Sequence, residues 1–393
     1  MVNLKTYFSY KKFAGQTLRI VYLNQSYFLQ EESIRLLREM GHEIEVLNIP
    51  DTPKTMLDAL LKTCLQVKPD CIISVNHFGF DYEGKIASVL ADLDLPVLVW
   101  YLDDYRFIIP DASPLAQPNM LLFTIEKQDI PHLKRLGFDA AHYLPTGSPL
   151  PPGKKYDTGA YAYLNRAVSF IGGTFEDTRL RWRKDGYEAL FKTAMPAGFQ
   201  PQSGRFFIDT LKTKIGSRFD SEAEFYHFAG YAAARATQSY RSELLRSVSP
   251  HPLHIFGDSH WSRFRLPAQL HPPVDSLHTA PQIFAASLIN LNMSSVQLKT
   301  ALNLRLYDVP LCGGFLLTDW KEDLAELFDV DREAAVYHSA EEMKEKIDYF
   351  YKYPEKRQPI IRRAAERIER EHLLIHRLKR LITIARERFN PAS

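Results

Sequence analysis

Asn303, Arg305 and Asp308 fall within six residues of one another, and Gly313, Gly314 and an apolar run ending in Thr318 and Asp319 follow at once. Arg305 and Asp308 are three apart, so a helix through them sets a cation and an anion on one face. A guanidinium can pair with a diphosphate, and a carboxylate can accept from both hydroxyls of a ribose. A Gly-Gly turn lets backbone come close to phosphate oxygens. Together these groups suit a sugar nucleotide. The plainer reading is a helix, a turn and a strand with a surface ion pair; on this segment alone the two readings are evenly matched.

A second set could activate a hydroxyl. Asp103 and Asp104 follow the apolar run Pro96 to Tyr101, and His77 and Asp81 follow the apolar run Asp70 to Val75. Carboxylates side by side at a strand end can raise one pKa towards the range of a general base. A turn or a helix cap explains Asp103 and Asp104 about equally well. For His77 a structural or substrate-orienting role is preferred to a catalytic one.

The elements that must position these groups alternate along the chain. Strand-like runs at 18–23, 43–47, 70–75, 96–101, 121–124 and 141–144 are separated by helical stretches at 31–40, 55–67, 84–93 and 128–136. Strand and helix taking turns predicts a parallel, doubly wound sheet. Residues 145–156 are rich in Pro and Gly and read as a linker. A second alternating half opens with the run at 167–173, passes through a polar, mainly helical region at about 180–248, and resumes with strands at 253–257, 288–292 and 314–318. The chain ends in helices from about 340 to 389. The fold class expected is α/β, with two Rossmann-like doubly wound domains facing across a cleft: residues 1–150, residues 160–375, and a C-terminal helix at 376–393 packing back on the first. Ligands of open α/β sheets prefer the carboxyl ends of the strands.

The ordered segments resemble the CgeB-like (spore maturation protein) glycosyltransferases of the GT-B architecture. The resemblance is carried by Val168–Gly173 with Arg179, Ile255–Asp258 with Trp261, Ile289–Asn292, the segment from Asn303 to Asp319, and Glu371–Arg377. In the first half it rests on Lys68–Asn76 with Gly79, Phe80 and Asp81, on Leu95–Asp104, and on Leu136–Phe138 with Tyr143–Pro145. The chain departs from the family at Asp308, where Glu is usual, and at Leu373 and Leu374, where Thr and Tyr are usual.

The resemblance implies a donor on the second half and an acceptor on the first. It implies Arg305 as the main diphosphate partner, with Lys299 a weaker one. Asp308 would lie at the ribose, Gly257 near the base, and Asn303, Thr318 and Asp319 close by. A helix N-terminus after Gly172 and Gly173, and the Gly313–Gly314 turn, would add backbone donors. Such groups can carry the charge of a leaving diphosphate, so the expected enzyme is a metal-independent glycosyltransferase whose nucleotide-sugar donor is a substrate, with no cofactor required. The expected acceptor is a hydroxyl on a glycan, a lipid-linked glycan or a protein. Retaining enzymes of this architecture carry a further acid about eight residues before the ribose-binding one; that position here is Thr300, so the stereochemical outcome stays open.

Two other classes compete. One is a non-catalytic protein on the same fold that binds sugar nucleotides or glycans. The other, a dinucleotide-dependent oxidoreductase, is disfavoured because no Gly-x-Gly-x-x-Gly follows the first strand. A net charge of +2 gives no ground for nucleic acid as a partner. No apolar run approaches the roughly 20 residues that span a bilayer, and Cys64, Cys71 and Cys312 lack metal-ligand spacing, so a cytoplasmic protein with reduced cysteines is expected. Arginines from Arg362 to Arg388 interleave with Leu and Ile. They could rest on an anionic membrane, but a solvated face on a helix that packs back is preferred.

Overall fold

The structure, a computed structural model, describes residues 3–195 and 207–391. It divides into two compact units: Met1–Pro149 with Leu374–Ser393, and Leu150–Leu373.

The first unit holds six strands, β1 (Arg19–Asn24), β2 (Glu43–Asn48), β3 (Cys71–Val75), β4 (Val97–Tyr101), β5 (Met120–Thr124) and β6 (Ala141–Tyr143), in the spatial order β2-β1-β3-β4-β5-β6. Every pair is parallel. Strands β3, β4 and β5 are buried at each residue, as their unbroken apolar sequences require of strands covered on both faces. Strand order reverses between β1 and β3, which opens a crevice at their carboxyl ends. The helix Pro53–Val67 starts sharply because Thr52 accepts from Thr55 N and a proline occupies its first position.

The C-terminal helix Leu374–Phe389 belongs to this unit. Arg386 donates to the carbonyls of Phe13, Gly15 and Gln16, and Phe389 stacks on Phe13 at 5.7 Å. Leu378, Leu381, Ile382 and Ile384 are buried, so the apolar side of this helix is already covered by protein. No helix among the described residues is long and apolar enough to cross a membrane.

The second unit repeats the plan with β7 (Val168–Ile171), β8 (Leu253–Phe256), β9 (Gln269–His271), β10 (Ile289–Asn292), β11 (Leu316–Asp319) and β12 (Ala335–Tyr337), in the order β12-β11-β10-β7-β8-β9. Its order reverses between β7 and β10. Strands β9 and β12, three residues each, were not anticipated from the sequence. The region at 180–248 forms the helices Tyr187–Ala194, Phe207–Ile215 and Glu222–Arg246; the part of that expectation at 196–206 lies outside the described residues. The last of these, although polar in sequence, lies largely inside the unit. Ala229, Gly230, Ala232, Ala233, Ala234 and Ala236 let neighbours approach closely, and most of the helix is buried. Ser221 caps it by accepting from Glu224 N.

Candidate active site

The crevice between β7 and β10 is spanned by one side chain. Arg241, on the buried helix Glu222–Arg246, donates from Nη1 to Gly173 O at 2.8 Å and from Nη2 to Met293 O at 2.9 Å. These carbonyls follow the ends of β7 and β10. The guanidinium lies over the ring of Phe175 at 4.9 Å and is 5% exposed. Arg305 lies close enough to repel it. Burial first, and Arg305 second, push the Arg241 pKa down to about 9. Arg305 is itself lowered by burial, with Asp308 acting in the opposite sense. The Nε atoms of both arginines are buried without a hydrogen-bond partner, and neither guanidinium forms an ion pair among the described residues. Asp308 offsets part of the charge of Arg305 and Asp319 part of that of Arg241, but two neighbouring cations in so dry a place still cost free energy that an anionic ligand would lower.

Arg305 opens the helix Arg305–Leu311. Asn303 stands just outside that helix. Its Oδ1 accepts from Arg305 N, and its Nδ2 donates to Asn292 Oδ1 at the end of β10. Asp308 is 7% exposed on the same helix, and Lys299 is half-buried. Thr318 and Asp319 have no exposed surface, so they brace the crevice from behind and cannot touch a ligand. Asp319 accepts from Ser294 N and Oγ and from Tyr240 OH, while Thr318 Oγ1 accepts from Asn292 Nδ2.

The glycines are required for packing. A Cβ on Gly172 would stand 2.7 Å from the Phe170 ring, on Gly257 2.3 Å from Gly172 O, and on Gly314 2.4 Å from Phe284 O. Gly313, at φ +81°, ends its helix in the left-handed conformation. Gly172 N is spent on Phe256 O. The Gly172–Gly173 loop is held from outside: Trp261 Nε1 donates to Gly172 O at 2.9 Å, and Asp258 accepts from Thr174 N and Oγ1 at 2.6 and 2.8 Å. The helix that follows, Glu176–Arg181, has six residues and begins with Glu176 and Asp177, whose charges oppose an anion. The positive charge at this loop comes instead from Arg241, which the sequence reading missed. Its only signal was a cation beside Tyr240 in a helix otherwise rich in Ala.

In the first unit, the four residues considered for proton transfer have different surroundings. His77 is 2% exposed, hydrogen-bonded through Nδ1 to Tyr101 OH, and pushed down by burial to about 3. Asp81 caps a helix with both oxygens, accepting from Lys85 N and Ile86 N at 2.8 Å each. Asp104 is 2% exposed and takes Arg106 on both its oxygens. Asp103 alone of the four is not fully buried. Tyr27 OH and Asn76 Nδ2 both donate to its Oδ2, and Asn76 is fixed in turn by accepting from Leu102 N at 2.8 Å. Burial raises the Asp103 pKa, while its two donors work in the other direction. A carboxylate so placed can accept a proton from a bound hydroxyl.

Cys64, Cys71 and Cys312 are buried and unbridged. No group of His, Cys, Asp or Glu among the described residues could hold a metal ion.

Residues 236–383 match the model of a family described as glycosyl transferase-like. That segment holds Arg241, Arg305 and Asp308. No curated protein matches the chain. Among solved structures, the sucrose-phosphate synthase of Thermosynechococcus elongatus superposes with a TM-score of 0.57 at 11% identity, covering 95% of this chain and 99% of its own. A glycosyltransferase from Rickettsia africae gives 0.53 at 9% identity over 96% and 100%. Anabaena HepE in complex with UDP-glucose gives 0.52 at 13% identity over 93% and 99%. The two six-stranded parallel sheets with flanking helices are those of the GT-B glycosyltransferase fold.

Proposed function

We propose that the protein is a glycosyltransferase that moves a sugar from a nucleoside diphosphate to a hydroxyl of an acceptor. The observation that carries this reading is the Arg241–Arg305 pair at the reversal point of the second sheet: the first guanidinium is buried on two carbonyls, the second is partly buried, and neither is in a salt bridge among the described residues. Guanidinium is suited to a diphosphate because its planar fork matches two phosphate oxygens. Charge develops on the leaving diphosphate as the glycosidic bond breaks, and donors already fixed in a dry site stabilise it without reorganising. Arg305 contacts the diphosphate directly; Arg241, held by two carbonyls, supplies fixed positive charge behind it. Asp308 accepts from the ribose, with Lys299 a further cation at the rim. Asp103 is the general base that takes the acceptor proton, oriented by Asn76 and Tyr27. The arginine pair does the work of a divalent cation, so turnover proceeds without added metal.

Uridine is the first base to test, because the Anabaena structure that shares this fold holds UDP-glucose. The finer kinship, to the CgeB-like enzymes, is supported by the order of segments from Val168 to Arg377. Thermal stabilisation by a panel of nucleosides, nucleotides and nucleotide sugars tests the proposal. One nucleoside diphosphate and its sugars should raise the midpoint well above its monophosphate. Equal response to nucleoside, mono- and diphosphate removes the arginine pair from the argument.

A further inference from the structure

A cavity of about 460 Å³ in the first unit lies at the carboxyl ends of β1, β2 and β3, beside the point where strand order reverses. Gln25, Asp51, Thr52, Phe80 and Tyr82 line it, together with Met56 and Gly79. Neither lysine nor arginine lines it. Tyr82 is 66% exposed, and Phe28, on the loop that follows Gln25, is 47% exposed. Large aromatic side chains left this open mark contact surfaces more often than packing.

The rim is rigid. Ser26, Leu29, Asn76 and His77 all sit at positive φ, a conformation that costs a side-chain-bearing residue free energy and persists only where its surroundings enforce it. Here Gln30, fully buried, accepts from Gln25 N and Tyr27 N and donates to Leu23 O. Asn24 accepts from Ser26 N. The same loop carries Tyr27, whose hydroxyl donates to Asp103. A held loop therefore connects the cavity wall to the carboxylate assigned as base.

We propose that this cavity binds the acceptor, and that the acceptor is an uncharged, hydroxyl-rich glycan. The proposal rests on the glycosyltransferase reading above. A pyranose presents one apolar face of C–H groups, which lies against the electron-rich face of an aromatic ring such as Tyr82. Its hydroxyls are met by Asp51, Thr52 and Gln25, a donor-accepting set of the kind that fixes orientation in a ligand cavity. A lipid diphosphate or a sulfated chain has no cation here to pair with and meets the Asp51 carboxylate instead.

The test is binding of the full-length protein to a printed array of neutral and anionic oligosaccharides, with UDP affinity measured on the same samples. Tyr82→Ala and Asp51→Asn, both at exposed positions, serve as variants, with thermal midpoints confirming that they fold. Neutral glycans should be retained, at least tenfold more weakly by Tyr82→Ala and at least threefold more weakly by Asp51→Asn, with UDP affinity unchanged. UDP binding without retention of any neutral glycan overturns the inference, as does retention of anionic glycans alone or equal retention by Tyr82→Ala. Retention of neutral glycans by unsubstituted protein that binds no nucleoside diphosphate sinks the donor reading and leaves a glycan-binding cavity that serves no transfer.

Discussion

Replacing Arg305 with Gln separates a ligand contact from a structural strut. The substitution keeps a polar side chain, two bonds shorter, and removes one positive charge. A hydrogen bond to a charged group contributes about 1.5–3 kcal/mol. At about 1.4 kcal/mol per tenfold, loss of the Arg305 contact weakens UDP by roughly 10- to 140-fold. Ligand-free stability has two opposed terms. Arg305 repels Arg241 and is attracted by Asp308, so removing it relieves one interaction and forfeits the other. A net change within about 1 kcal/mol moves the midpoint by less than about 4 °C in a unit of this size. Titration calorimetry with UDP, and thermal unfolding without it, read the two quantities separately. An unchanged UDP affinity with a midpoint lowered by more than that would refute the reasoning, since Arg305 would then be holding the fold and not awaiting an anion.

Three further outcomes follow from the geometry. Asp103→Asn should leave UDP affinity within twofold and cut transfer to acceptor by about 10²–10⁴, the usual worth of a positioned base; equal loss of both would place Asp103 outside the proton-transfer step. Gly257→Ala should destabilise by about 1–3 kcal/mol, because its methyl group would stand 2.3 Å from the Gly172 carbonyl oxygen. It should weaken UDP too, and normal UDP affinity in a destabilised variant would detach the Gly172–Gly173 loop from the donor site. Glu176, held down to about 2 by its hydrogen bonds to Arg179, binds fewer protons folded than unfolded between about 4.5 and 2. Its contribution is therefore complete above 4.5 and lost as pH falls through that window. The midpoint difference between the unsubstituted protein and Glu176→Gln should shrink from pH 4.5 downwards and vanish near pH 2; a difference constant across the window would show that Glu176 is not held by charge.

Much of the fold could be read from the chain because buried parallel strands leave continuous apolar runs. Cys71–Val75, Val97–Tyr101 and Met120–Thr124 are such runs, and the helices between them carry caps such as Thr52 with Pro53. Strands β9 and β12 escaped: three residues hold no period, as β6 also shows, and β9, at the sheet edge, is largely exposed, so it has no apolar run to mark it. The burial of the helix Glu222–Arg246 was not legible, because small residues with scattered polar ones leave no apolar stripe, whereas small side chains here admit close neighbours and the polar ones find partners inside. Arg241 was invisible for that reason: its partners, Gly173 and Met293, lie 68 and 52 residues away. Glycine was legible as a residue type but not as a role. Gly172, Gly257 and Gly314 are needed where backbone and rings pack closely, and only the folded chain shows what stands opposite each. Of the four groups considered for proton transfer, sequence placed all at strand ends; burial and hydrogen bonding single out Asp103.

The central claim is that this chain breaks a sugar–diphosphate bond, and release of UDP from a set of UDP-sugars, followed by mass spectrometry with and without neutral glycan acceptors, tests it most directly. The account predicts UDP release from one donor, stimulated by acceptor, undiminished by chelator, with the acceptor-stimulated release and the glycan product both cut about 10²–10⁴-fold by Asp103→Asn. Folded protein that binds UDP yet releases none from any donor, with acceptor or without, would contradict it and leave a binding protein on a glycosyltransferase fold.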